Sequence, residues 1–144
     1  MEKRMNMFKV EPEGYNAMLA LEKYLTGTEV SKTHKELIKI RASQINGCAF
    51  CLDMHTKDAL KYGESQQRIF TLNAWRDTPF FTPEERALLA LTEEVTLITS
   101  HVSDKTYNEA VALLGEKYIA QVIMLIVVIN GWNRIAITTG MMPA

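Results

Sequence analysis

The stretch Tyr118-Ile119-Ala120-Gln121-Val122-Ile123-Met124-Leu125-Ile126-Val127-Val128-Ile129-Asn130-Gly131-Trp132-Asn133-Arg134-Ile135-Ala136-Ile137-Thr138 decides the fold class. Its Val and Ile content suits a buried strand as well as a buried helix. The apolar pattern runs well past strand length, and no neighbouring segment reads as a strand to pair with it. The segment is therefore expected as a helix, and the chain as all-α. Its longest apolar run, Val122 to Ile129, falls far short of the ~20 residues that span a bilayer. It reads as a core or subunit-interface helix, and no membrane partner is expected.

Working outward, the caps mark further helices. Prolines stand only at 12, 79, 83 and 143, leaving 13–78 uninterrupted. A first helix is expected over about Tyr15 to Leu25, ending near Gly27. A second begins near Ser31 or Thr33, where Thr33 and Glu36 have capping-box spacing, and ends at Asn46-Gly47. A third covers about Cys48 to Tyr62. A fourth starts after Ser65 and runs to about Trp75. Thr82-Pro83-Glu84-Glu85 opens a fifth, with Thr as N-cap, Pro at N1 and acids in the first turn. Ser103-Asp104 caps a sixth, which ends at Gly115. The expected architecture is a single-domain all-α bundle of about six to seven helices, residues 1–144.

Composition narrows the function. Of 144 residues, 47% are hydrophobic and 23% charged, an ordinary globular balance that excludes disordered and collagen-like classes. Lys and Arg total 16 against 17 Asp and Glu, without the basic excess of a phosphate-binding surface, so no nucleic-acid partner is expected. The N-terminus lacks the apolar core of a secretory signal, and the default compartment is the cytoplasm. The eight methionines and the tryptophans and tyrosines read as packing. Neither a Gly-rich phosphate loop nor a dinucleotide fingerprint is present.

The two cysteines are Cys48 and Cys51, too close together for a bond between them to remove much unfolded-chain entropy. Their use is chemical. On a helix over 48–62, Cys48, Cys51, Leu52, His55 and Ala59 share one face, with Asp53, Lys57 and Lys61 towards the other. Residues three apart on a helix have Cα atoms about 5 Å apart, within disulfide reach. Cys48 sits at the helix start, where free N–H groups and the dipole favour a thiolate. His55, four residues beyond Cys51, is placed to exchange that thiol's proton. Zinc is the alternative, but Cys-x2-Cys-x3-His supplies only three ligands crowded on one helix, and His34 and His101 read as distant surface residues. No metal and no cofactor other than the dithiol itself is expected.

The spacing Glu36-x11-Cys48-x2-Cys51-x3-His55 resembles the signature of AhpD-like alkylhydroperoxidases in the carboxymuconolactone decarboxylase superfamily. Glu36-Leu37-Ile38-Lys39-Ile40-Arg41, Thr82 to Leu88 and Asn130-Gly131-Trp132-Asn133-Arg134 are similar too. The resemblance implies an all-α fold assembled as homotrimers or homohexamers, and a thiol-dependent peroxidase or dithiol-disulfide oxidoreductase in antioxidant defence. It also implies roles. Cys51 meets the hydroperoxide as attacking thiol, Cys48 is the resolving thiol that closes a redox-active Cys48–Cys51 disulfide, His55 is the base, and Glu36 completes a proton relay. A lipoyl domain or thioredoxin-like protein would then reduce the disulfide.

Three points stay open in the sequence. Phe50 stands where the best-studied members carry a second His. The helix start favours Cys48 as the thiolate, whereas the family scheme favours Cys51. Glu36 reads equally as a relay acid or as a capping acid, because it lies off the centre of its apolar stripe. A redox-sensing or scaffolding oligomer with little turnover is the alternative function, with carboxymuconolactone decarboxylase-type activity ranked below it.

Overall fold

The computed structural model describes residues 2–144; Met1, the first residue of the expected 1–144 domain, lies outside the described residues. Among the described residues there are eight α-helices and no strand. They are α1 (Met7–Val10), α2 (Pro12–Thr26), α3 (Lys32–Asn46), α4 (Ala49–Lys61), α5 (Gln66–Thr71), α6 (Pro83–Thr96), α7 (Asp104–Leu114) and α8 (Glu116–Thr139). The all-α expectation holds. The ambiguous Val/Ile-rich stretch is helical from Glu116 onward, two residues before its expected start.

The caps explain most boundaries. Thr82 and Glu85 form the reciprocal capping box of α6: the Glu85 N–H donates to Thr82 Oγ1 at 3.2 Å, and the Thr82 N–H to Glu85 Oε2 at 2.8 Å. Ser103 and Ser65 cap α7 and α5 from one side only, each hydroxyl accepting a backbone N–H three residues on. Gly47 ends α3 at φ 68, a left-handed turn that a Cβ would strain.

Three expectations are corrected. The Thr33–Glu36 box does not form: Ser31 is the N-cap of α3, its Oγ accepting the His34 N–H at 3.1 Å, so Thr33 lies inside the helix. The helix expected from Ser65 to Trp75 stops at Thr71 and continues as a 3₁₀ turn over Leu72–Asp77. The backbone kinks at Ala74 (φ -116, ψ 27), and Leu72 and Trp75 are both buried on either side of it. The short α1 was not expected; Asn6 caps it by accepting the Lys9 N–H at 3.1 Å.

The core has three parts, and α3 reaches all of them. Ile38 packs with Leu88, Leu91, Val122, Leu125 and Ile126 from α6 and α8. Leu37 and Ile40 pack with Ala59, Leu72 and Trp75. Ala42 joins Cys48, Cys51, Ile129 and Ala136. The site therefore rests on α3, α4 and α8. By length and mean hydropathy, 1.6 over an 18-residue window, α8 passes as a helix able to cross a membrane. Here it is a core helix, burying Val122, Leu125, Ile126, Ile129 and Asn133 against its neighbours. Gly131 lets α2 come close, since a Cβ there would stand 2.9 Å from Met18 Cε.

Candidate active site

Cys48 is the N-cap of α4, with extended backbone (φ -85, ψ 94), rather than its first helical residue. In that position its Sγ receives the Cys51 N–H at 3.4 Å, the hydrogen bond a Ser or Asp N-cap would otherwise take. Both cysteines are free, and both are buried, at 1% and 2% exposure. The pair sits where the start of α4 meets α3 and α8: the Cys48 N–H donates to the Ser43 carbonyl at 3.0 Å.

The two thiols are driven apart in acidity. A hydrogen bond from the Cys51 side chain draws Cys48 down to about 7, helped by the Cys51 backbone N–H and the Asn133 amide and opposed by burial. Cys51 is pushed up, first by that same bond to Cys48, then by burial and by the Cys48 charge. The pair thus holds one negative charge near neutral pH, resting on Cys48.

A consequence is a two-step thiol titration. Thiolate absorbance at 240 nm is expected to show one thiol ionising with a midpoint near pH 7, the second remaining protonated beyond pH 9. Cys48→Ser should remove the early step. Two thiols titrating together near the ordinary cysteine value would contradict this geometry.

Access is divided differently. Cys51 lines a cavity of about 280 Å³ with Phe50, Met54, Tyr15, Trp132 and Met141, whereas Cys48 is not among its walls. Edge-to-face contacts of Tyr15 with Phe8 and with Trp132, centroids 5.5 and 5.3 Å apart, brace one side. The sulfur that carries the charge is therefore not the one that meets the cavity.

His55 is 4% exposed and Glu36 8%. They meet across α3 and α4, His55 Nδ1 lying 3.0 Å from Glu36 Oε2. An ionised Glu36 only accepts, so Nδ1–H donates and Nε2 keeps the lone pair that a base needs. Glu36 is thus tied to His55 and not to a helix cap. Among the described residues the imidazole makes no direct hydrogen bond to either sulfur. His34 is not a free surface residue: its Nδ1 is 2.7 Å from Tyr118 Oη.

Sequence reasoning missed Asn133 and Ser43, both 0% exposed. The Asn133 amide donates to Ser43 Oγ at 3.0 Å, and its carbonyl oxygen accepts from Asn46 at 2.9 Å. Asn46 also donates to Asn130 at 2.9 Å, and Asn130 in turn donates to Thr96 Oγ1 at 3.1 Å. A polar wire thus backs the thiols from α3 to α6 by way of α8. The available signal was a pair of asparagines three apart in an otherwise apolar helix, where burial demands partners.

The sequence pattern of the carboxymuconolactone decarboxylase family matches residues 12–94, which include Glu36, both cysteines and His55. The chain belongs to that family. An uncharacterized family relative, YdfG of Bacillus subtilis (strain 168), is 45% identical over 141 residues, covering 97% of this chain and 96% of its own. A crystal structure from Agrobacterium tumefaciens, of a protein of unknown function held to be a candidate antioxidant-defence AhpD, is 38% identical. It covers 99% of both chains with a TM-score of 0.96. The alkylhydroperoxidase AhpD core of a peroxidase-related protein from Ralstonia eutropha JMP134 shares the fold at 19% identity and TM-score 0.83. It covers 96% of this chain and 74% of its own. The fold is AhpD-like.

Proposed function

We propose that the chain is a thiol-dependent hydroperoxidase, a dithiol-disulfide oxidoreductase of antioxidant defence working through Cys48, Cys51 and His55. The observation that carries this reading is the division of labour between the sulfurs: the charge rests on Cys48, while Cys51 lines the cavity. Cys48 then serves as the first base. As Cys51 attacks the outer oxygen of ROOH, its proton passes along the S–H···S⁻ bond to Cys48. The O–O bond breaks, Cys51 becomes a sulfenic acid, and RO⁻ leaves to be protonated through the His55–Glu36 pair. The proton that RO⁻ takes comes from solvent, relayed by His55 Nε2 while Glu36 holds Nδ1–H. The Cys48 thiol next attacks the sulfenic sulfur, its proton leaving with the hydroxyl as water, and the disulfide closes. An external dithiol, on a lipoyl domain or a thioredoxin-like protein, returns the two electrons by exchange. The chain would act as a homotrimer or homohexamer in a compartment that keeps thiols reduced, such as the cytoplasm.

The deciding experiment is intact-mass analysis of the reduced protein after one equivalent of organic hydroperoxide. The expected product has lost two hydrogens and both free thiols, with peptide mapping placing the bond at Cys48–Cys51. Unchanged mass and two free thiols would reject the reading. A second reading, a redox sensor or scaffold with little turnover, is favoured by Phe50, which offers the cavity no acid-base group. Steady-state turnover with several dithiol reductants separates the two, since a sensor forms the disulfide but does not cycle. Lactone decarboxylation would leave the thiol pair without a role.

A further inference from the structure

Glu22 is a wall of two cavities at once: the apolar one beside Cys51 and a second of about 230 Å³. The second runs along α3 and is lined by Lys32, Lys35, Lys39 and Glu36. Its charges are not balanced from within. Lys39 Nζ is 3.3 Å from Glu22 Oε1, and Glu36 is engaged by His55. Lys35 Nζ donates to the Leu25 carbonyl at 2.6 Å, a neutral acceptor. Lys32 Nζ stands 4.9 Å from the centroid of the Tyr62 ring. Among the described residues neither Lys32 nor Lys35 forms an ion pair with a carboxylate. An ammonium held by a neutral carbonyl gains from an anion that brings a charge-assisted bond. The neighbouring cavity, walled by Phe50, Met54 and Trp132, asks for an apolar body.

We infer that the thiol site takes hydroperoxides carrying a carboxylate on an apolar body, the body lying against Cys51 and the carboxylate reaching past Glu22 to Lys35 and Lys32. The inference rests on the hydroperoxidase reading and names its substrate class. The balance is that of the general reaction: the hydroperoxy acid becomes the hydroxy acid and water, and Cys48 and Cys51 become the disulfide. An external dithiol then reduces the disulfide and is itself oxidised.

The test compares linoleic acid hydroperoxide with its methyl ester, below their micelle concentrations, and cumene hydroperoxide as a short neutral substrate. The wild-type protein is expected to favour the acid over the ester by about tenfold in kcat/KM, the scale of one partly desolvated ion pair. Lys35→Gln should bring that ratio towards one, and Lys35→Arg should retain it. Equal kcat/KM for acid and ester, with cumene hydroperoxide turned over, overturns this inference and leaves the hydroperoxidase reading standing. A binding arm decides the case in which no hydroperoxide is consumed. Tryptophan fluorescence, reporting through Trp132 in the cavity wall, follows titration with linoleic acid and with methyl linoleate. Tighter binding of the acid in the wild type, lost in Lys35→Gln, supports the carboxylate site; equal affinities overturn it.

Discussion

Replacing Cys51 with serine is expected to lower hydroperoxide turnover by at least about 10³-fold, the scale of losing a covalent nucleophile. A serine hydroxyl does not ionise near neutral pH and cannot be carried through a sulfenic acid. The remaining thiol does not substitute for it. Cys48 is 1% exposed and is not a wall of the cavity. Cys51→Ser also removes the S–H donor that is the main reason Cys48 ionises near 7. The complementary variant, Cys48→Ser, loses the first base as well as the resolving thiol, so it should form a dimedone-reactive sulfenic acid on residue 51 more slowly and close no disulfide. The measurements are peroxide consumption and dimedone adduct mapping on both variants. Full activity in Cys51→Ser, or an adduct that maps to Cys48 in that protein, would reverse the assignment of attacking and resolving thiols.

The second large effect is expected at Asn133. Asn133→Ala should destabilise the protein by about 2–4 kcal/mol, a drop of about 5–15 °C in Tm. The side chain is wholly buried and is bonded to Ser43 and Asn46. Its removal leaves part of the Asn46 amide and the Ser43 hydroxyl without their partner, in a volume the backbone cannot readily close. The same variant should raise the first thiol midpoint above about 7, because the Asn133 amide favours the ionised form of Cys48. The sign for stability follows. An acid whose folded pKa is depressed stabilises the fold above its unfolded value, and loses that contribution as pH falls through about 7. Between pH 7 and 9 the wild-type protein should therefore gain stability with rising pH more than Asn133→Ala does. Thermal melts across that range, with thiolate absorbance on the same samples, measure both effects. An unchanged midpoint in Asn133→Ala would remove Asn133 from the site.

Much of the site is local, and local relations can be read from spacing. Cys48, Cys51 and His55 lie within eight residues, and one helix sets their common face. The Thr82 N-cap with Pro83 at N1 is local in the same way and forms as expected, and Glu85 adds the reciprocal half of a capping box. The misread capping box at Thr33 shows where this reasoning stops. Ser31 and Thr33 are both competent N-caps, and choosing Ser31 frees Glu36 to turn inward. That choice is rewarded only by His55, which is 19 residues away and on another helix. The 3₁₀ turn over Leu72–Asp77 is also a tertiary decision. Trp75 Nε1 donates to Glu93 of α6 at 2.8 Å, and helical periodicity in the segment itself holds no sign of that partner.

The protein's amino-acid order was enough for the all-α class, most helix caps, the family and the dithiol with its histidine. The class, the caps and the dithiol depend on residues within a turn or two of one another, where helix geometry alone specifies distance, and the family on the order and spacing of Glu36, Cys48, Cys51 and His55 along the chain. Tertiary packing decided which cysteine carries the charge and which lines the cavity, the pairing of Glu36 with His55, and the approach of Asn133 from 90 positions away to Ser43. Those outcomes arise where α2, α3, α4 and α8 converge. There, burial strengthens each hydrogen bond and penalises each unpaired group, so the sum over several helices, and not any one segment, sets the chemistry.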